Sequence, residues 1–245
     1  MGQLEGKVAV VTGGCSGIGR AVAIGLAREG AQVVVSDVRI PAAESPVVEI
    51  QNWGCQALAV EADVSQSRSV SQMVQKTLDI FGRIDILVNS AGIVSKAPVV
   101  DMSEEEWARV IGVNLTGTFL CCKAVARHMI AQRSGKIVNM TSGRGVTGMS
   151  GAAHYAASKG GIIAFTVSLG IELGPYGINV NAIAPGVTDT RMTRSILGEE
   201  ELRQAAEAPV NKRLGKPEDV VGPVLFLVTD ASKDMYGQIL YMRTP

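Results

Sequence analysis

Short runs of β-branched and other apolar residues alternate along this chain with longer segments of helical period, and that alternation constrains the fold more than any other feature. The apolar runs cover residues 7–12 ("KVAVVT"), 31–36, 55–61, 84–90, 136–142 and 178–185. Helical segments cover 17–29, a short stretch before Trp53, 66–81, about 103–132, and 155 to about 173. A strand that is apolar at every position is buried on both faces, and a helix between two such strands forces a right-handed parallel crossover. The pattern therefore predicts an α/β chain built on one doubly wound parallel sheet with helices on both faces. No proline- or serine-rich linker interrupts it, so residues 1–245 are expected to form a single domain. The rhythm lapses between Pro185 and about Pro217, where several charges and two candidate short helices precede "PEDVVGPVLFLV". An excursion beyond the C-terminal end of a strand is where a substrate lid sits, so one is expected at about 186–216.

With 47% apolar residues the chain has ample material for a core, and Lys plus Arg equals Asp plus Glu at 23 each. That balance offers no basic excess to a nucleic acid or an anionic membrane. No uninterrupted apolar run reaches the length of a membrane span, and the first residues lack the pattern of a signal peptide, so a cytoplasmic protein is expected. Cys15, Cys55, Cys121 and Cys122 show neither C-x-x-C spacing nor neighbouring histidine pairs, which favours reduced thiols over zinc or disulfides; no metal is expected.

"VVTGGCSGIGR" (10–20) follows the first strand and opens the first long helix, with Gly13, Gly17 and Gly19 spaced around Ser16 and Ile18. Missing side chains let the backbone approach a pyrophosphate, while the N–H groups at the helix start face its charge, as in a Rossmann fold. A tight turn alone would use glycines too, so the weight lies in what surrounds them. Asp37 ends the second strand, near the spacing at which a carboxylate accepts both hydroxyls of an adenosine ribose and repels a 2'-phosphate. Ser16 and Val38 stand where a chain that binds that phosphate is expected to supply a base. NAD is therefore expected over NADP, with Arg39 a nearby cation that could swing toward a phosphate. A turn or capping aspartate is the alternative for Asp37.

Taken together, "TGGCSGIG" (12–19), "DV" (63–64), "NSAG" (89–92), Asn114, Ser142, "YAASK" (155–159) and "PGVTDT" (185–190) resemble the short-chain dehydrogenase/reductases in order and approximate spacing, over residues 7 to about 240. The resemblance implies hydride transfer between C4 of a nicotinamide and a carbinol carbon, with Tyr155 as acid/base and Ser142 orienting the substrate oxygen. It makes Lys159 a ribose ligand and pKa depressor, and places Asn114 at a helix distortion holding a water that relays protons to the lysine. It also implies Asp63 and Val64 beside the adenine, Asn89, Ala91 and Gly92 lining the ribose and nicotinamide side, and Pro185, Gly186, Thr188 and Thr190 holding the carboxamide and a phosphate. Two departures stand out. Ser90 replaces the family's usual second asparagine, and the chain closes with "GQILYMRTP" (237–245) where related tetramers form a subunit contact.

Tyr155 and Lys159 share one helix face, so the ammonium can lie below the ring. Bringing a tyrosine from about pH 10 to near neutrality takes about three units, or roughly 4 kcal/mol. A cation about 4 Å away at an effective dielectric near 20 supplies roughly that, so Lys159 is expected to depress the phenol, with oxidised nicotinamide adding a second charge. In the alternative, Ser142 caps a helix, Tyr155 packs and Lys159 is solvated.

The loops after Gly92, Ser142 and Gly186 present Lys96, Arg144, Arg191 and Arg194, which favours an anionic or highly hydroxylated substrate, although solvated loop charges would read the same. The leading expectation is thus an NAD-dependent oxidoreductase of a sugar, polyol or hydroxy acid, with Arg144, Arg191 and His154 on the substrate side. An NADPH-dependent 3-oxoacyl thioester reductase is the runner-up, and a non-catalytic NAD-binding regulatory protein the alternative of another class. Cys15, near a helix N-terminus, is a candidate for a lowered thiol pKa and oxidation, with packing the plainer role. Helices 103–132 and 155–173 are more apolar than one sheet face requires, so a homotetramer is expected.

Overall fold

A computed structural model of the chain describes residues 2–40 and 45–242. Its strands are β1 (Val8–Thr12), β2 (Gln32–Asp37), β3 (Ala57–Glu61), β4 (Ile86–Asn89), β5 (Gly135–Met140), β6 (Ile178–Ala184) and β7 (Ile239–Tyr241). They form one sheet in the order β3-β2-β1-β4-β5-β6-β7, with every pairing parallel. The alternation in the sequence is the cause: β1 and β6 are buried at every position, as crossover helices on both faces require.

Successive strand residues point to opposite faces. Ala9, Val11, Val33, Val35, Ile86, Val88 and Val138 pack with helices α1 (Gly17–Arg28), α2 (Pro46–Asn52) and α10 (Val221–Val228). Val10, Val34, Leu87, Ile137 and Val180 pack on the other face with α3 (Ser67–Phe81) and α5 (Gly117–Gln132). Truncating a fully buried residue such as Leu87 to alanine would cost about 2–5 kcal/mol.

The long helix expected over 103–132 is α4 (Glu104–Ile111) running into α5 through a π turn at Gly112–Thr116, so one rod carries a local widening at Asn114. A short α6 (Arg144–Thr147), not anticipated, precedes α7 (Ala153–Leu173), which starts two residues ahead of Tyr155. The excursion carries α8 (Arg191–Ile196) and α9 (Glu199–Glu207), and its base is pinned where Thr188 bridges to Gly215. Despite the unusual terminus, β7 pairs Ile239–Tyr241 with Ala182–Ala184; residues 243–245 lie outside those described. The spans Glu104–Gln132 and Ala153–Tyr176 have the length and hydropathy of membrane helices. Here they lie against the sheet through Cys121, Val125, Met129 and Leu173, and leave Phe119, Val167 and Ile171 exposed.

Candidate active site

The strand order reverses between β1 and β4, and a crevice opens beyond the C-terminal ends of strands at such a switch point. A cavity of about 460 Å³ lies there, lined on one side by Gly13, Ser16, Gly17, Ile18, Gly19 and Asp37. Gly13 has φ +64°, and a Cβ on it would stand 2.8 Å from the Ala91 backbone. One on Gly19 would stand 2.1 Å from the Gly13 carbonyl oxygen. The loop is therefore as close to its neighbours as backbone allows, and it leads into the N-terminus of α1, where unpaired N–H groups attract an anion. This cradle, which a side chain would fill, fits a dinucleotide pyrophosphate.

Asp37 ends β2 in the cavity wall with both carboxylate oxygens fixed. Oδ2 accepts from the Cys15 amide at 3.1 Å and Oδ1 from the Val38 amide at 2.9 Å. Each oxygen keeps a lone pair for a ligand hydroxyl. Arg39 is exposed and outside the cavity lining. Asp63 and Val64 line the cavity as expected, the Asp63 carboxylate being steered by the Ser65 amide and hydroxyl at 2.9 and 2.7 Å.

Ala91 and Gly92 line the opposite side, but Asn89 does not. Its side chain turns into the core, where Nδ2 donates to Asn139 Oδ1 at 2.9 Å and to Cys122 Sγ at 3.2 Å. Strand alternation aims it inward, leaving the lining to the residues that follow. Pro185 and Thr190 line the cavity, whereas the Thr188 hydroxyl donates back to the Gly186 carbonyl at 2.9 Å and neither residue reaches the lining.

Tyr155 and Lys159 share the cavity. Lys159 Nζ lies 5.7 Å from the Tyr155 ring centroid and donates to the Met140 carbonyl at 2.9 Å. Burial lowers the Lys159 ammonium to about 8. The expected depression of the phenol is reversed: burial pushes Tyr155 above the ordinary tyrosine value, against the opposing pull of a Ser142 hydrogen bond and the Arg144 charge. The reason is that desolvation penalises both charged forms, and Lys159 spends its bond on Met140 rather than on the phenol.

Asn114 is fully buried behind Ile93: its Oδ1 accepts from the Ile93 amide at 2.8 Å, and its Nδ2 donates to the Ile93 carbonyl at 2.9 Å and to Ser158 Oγ at 3.0 Å. Ser158 in turn donates to the Tyr155 carbonyl at 2.7 Å. A Cβ on Gly92 would sit 3.4 Å from Asn114 Oδ1 and 3.6 Å from Lys159 Nζ, so these two groups face one narrow gap. Thr118 Oγ1 donates to the Asn114 carbonyl at 2.7 Å.

Of the residues read as substrate-facing, Arg191 lines the cavity, Arg144 is exposed beyond its lining, and His154 is fully buried away from it. Lys96 is paired with Glu201 at 2.9 Å and Arg194 with Asp189 at 2.6 Å, so both cations are already matched. The Cys15 thiol is pushed up to about 11 by burial and by Asp37, which removes the expected reactivity. Among the described residues no group of three or more His, Cys, Asp or Glu forms a metal cluster. Arg109 and Val113 line the cavity without having been singled out. They flank the start of the π turn at Gly112–Thr116, whose altered register a 3.6-residue period in the sequence does not reveal.

The family model described as enoyl-(acyl carrier protein) reductase matches residues 13–243, glycine loop and Tyr155–Lys159 pair included. The chain is a short-chain dehydrogenase/reductase. The 3-oxoacyl-[acyl-carrier-protein] reductase of Synechocystis is 45% identical over 94% of this chain and 92% of its own. The sorbitol dehydrogenase of Cereibacter sphaeroides is 40% identical over 96% and 95%. The crystal structure of levodione reductase superposes with a TM-score of 0.91 at 31% identity, covering 98% of this chain and 97% of that one. Other relatives at 38–40% identity are also 3-oxoacyl-[acyl-carrier-protein] reductases. As a member of this family the protein is an oxidoreductase with a nicotinamide cofactor.

Proposed function

We propose that this short-chain dehydrogenase/reductase interconverts a 3-oxoacyl and a 3-hydroxyacyl thioester with NAD(H). The weight of the relatives supports the thioester, and the Asp37 carboxylate, clamped by two backbone amides in the cavity wall, supports NAD. A sugar or polyol is the second reading, favoured by the resemblance to sorbitol dehydrogenase.

When bound, the dinucleotide supplies the hydride at its nicotinamide C4 and, oxidised, a positive charge. The chain supplies the rest. Gly13, Ser16, Gly17, Ile18 and Gly19 hold the pyrophosphate; Asp37 takes the adenosine ribose, and Asp63 and Val64 flank the adenine. Ala91, Gly92, Pro185 and Thr190 support the nicotinamide half. Ser142 orients the substrate oxygen, and Tyr155 gives or takes the proton on it. Burial keeps the phenol protonated, which suits it as the acid in ketone reduction. Lys159 bonds the ribose and, near half ionisation at about 8, passes protons onward past Asn114. Residues 186–216 serve as the lid over the substrate. Exposed Phe119, Val167 and Ile171 support a homotetramer, and unpaired thiols throughout support a reducing, cytoplasmic setting.

The test is a panel of acetoacetyl thioesters, polyols and hydroxy acids assayed with NADH or NAD, with Tyr155→Phe as the blank. Thioester turnover abolished by Tyr155→Phe supports the reading; turnover confined to polyols installs the second one, and equal rates in the Phe variant refute the role of Tyr155.

A further inference from the structure

His154 precedes Tyr155, is fully buried, and lies outside the cavity wall and the reaction proposed above. Successive helix residues project about 100° apart, so Tyr155 faces the crevice while His154 faces back toward α4 and the loop after β4. There His154 Nε2 meets Ser95 Oγ at 2.9 Å, and Ser95 Oγ donates a hydrogen bond to Glu106 Oε1. Glu106 also accepts two bonds from the Arg109 guanidinium, at 2.8 and 2.9 Å, and Arg109 lines the cavity. Ser95 and Arg109 hold the Glu106 carboxyl below the usual carboxylate range, so it accepts only. The single Ser95 proton goes to Glu106, and Ser95 must therefore accept from His154 Nε2–H. His154 Nδ1, on the far side of the ring, is buried with no hydrogen-bond partner.

A feature of α7 explains why such a chain is needed. Its N-cap is Ala152, with no side-chain cap, and Tyr155 sits in the first turn, where helices fray. Ser158 and Asn114 brace that turn from one side through the Tyr155 carbonyl. His154 is the brace on the other, and its tether runs through Ser95 to α4.

We infer that His154, Ser95 and Glu106 are positioning residues: a lateral clamp on the uncapped first turn of α7 that fixes Tyr155 in the crevice and joins it to the cavity wall at Arg109. The inference rests on the proposed role of Tyr155, but its test does not require turnover. The groups that bear on the phenol are Ser142 and Arg144, with Lys159 beneath the ring. Because burial dominates them, loosening the turn admits water and brings the phenol down toward its ordinary value.

The experiment is a phenolate absorbance titration of the ligand-free protein, with the Tyr155→Phe trace subtracted to isolate Tyr155. In His154→Leu the midpoint falls and kcat drops by about tenfold or more, while the dinucleotide Kd holds. In His154→Gln, whose amide can donate where Nε2 did, midpoint and kcat stay near wild type. A folded His154→Leu with a wild-type midpoint overturns the clamp, as does a Gln variant that behaves like Leu. Should the Leu variant not fold, Ser95→Ala carries the same readouts: a lowered midpoint supports the clamp and an unchanged one overturns it. Activity lost in every variant and in wild type would count against the proposed reaction and leave the midpoint comparison standing.

Discussion

Replacing Asp37 with asparagine should turn the nucleotide preference, and the geometry sets the size. A ribose 2'-phosphate would stand about 4 Å from the carboxylate; at an effective dielectric near 20 each pair of unit charges repels by about 4 kcal/mol. Asp37 is half-buried at a cavity mouth, so solvent and salt leave roughly half, about 2 kcal/mol or some 30-fold in affinity. Asparagine keeps one acceptor for the two amides of Cys15 and Val38, so one must turn to water, and the ribose loses a charge-assisted bond. That loss is about 1 kcal/mol, or about fivefold for NADH. NADPH should therefore bind Asp37→Asn some 30-fold tighter than wild type, and the NADPH to NADH ratio should move by about 150-fold. Titrations followed by nucleotide fluorescence, at low and high salt, measure it, the wild-type discrimination shrinking as salt rises. Equal binding of the two nucleotides by wild type, or a ratio that the variant leaves unmoved, would refute the reasoning.

Gly19→Ala places a methyl 2.1 Å from the Gly13 carbonyl oxygen, so a loss of about 1–3 kcal/mol in stability and of the NAD-induced thermal shift is expected by differential scanning fluorimetry. Lys159 is lowered from 10.5 to about 8, so the unfolded chain holds the proton more tightly; folding stability should rise with pH between about 8 and 10.5, and the burial penalty is fully present below that window. Lys159→Met should accordingly raise the melting temperature of the inactive protein at pH 7 and lose that advantage above about pH 10, whereas a lower melting temperature at both would contradict it. With its thiol near 11, Cys15 stays protonated, and Cys15→Ser should leave peroxide sensitivity unchanged in an activity assay. Ile171→Glu, at a residue 73% exposed, should shrink the sedimenting species; an unchanged sedimentation coefficient would exclude this face from assembly.

The sheet was legible because apolar strands and amphipathic helices announce themselves by period, and the glycine loop because its spacing answers to one geometry. Asp37, Tyr155 and Lys159 fell where spacing put them, since each is tied to a strand end or a helix face. What failed to read was orientation and environment. Asn89 sits within a recognisable motif, yet strand alternation turns it to Asn139, fifty residues away. The partners of His154 lie on two other elements, and no local pattern joins Ser95, Glu106 and His154. The protonation of Tyr155 departs from what the Lys159 spacing predicts, because the cost of burial depends on surroundings that only the folded chain supplies.

The bond from Lys96 to Glu201 ties the α8–α9 excursion to the loop after β4. Both side chains are wet, at 37% and 52% exposure, so it is a catch that thermal agitation opens readily. For the lid proposed above, the consequence is that dissolved ions, by loosening this catch, should act as a dial on the Michaelis constant without touching the chemistry inside, as a salt series of steady-state rates would register.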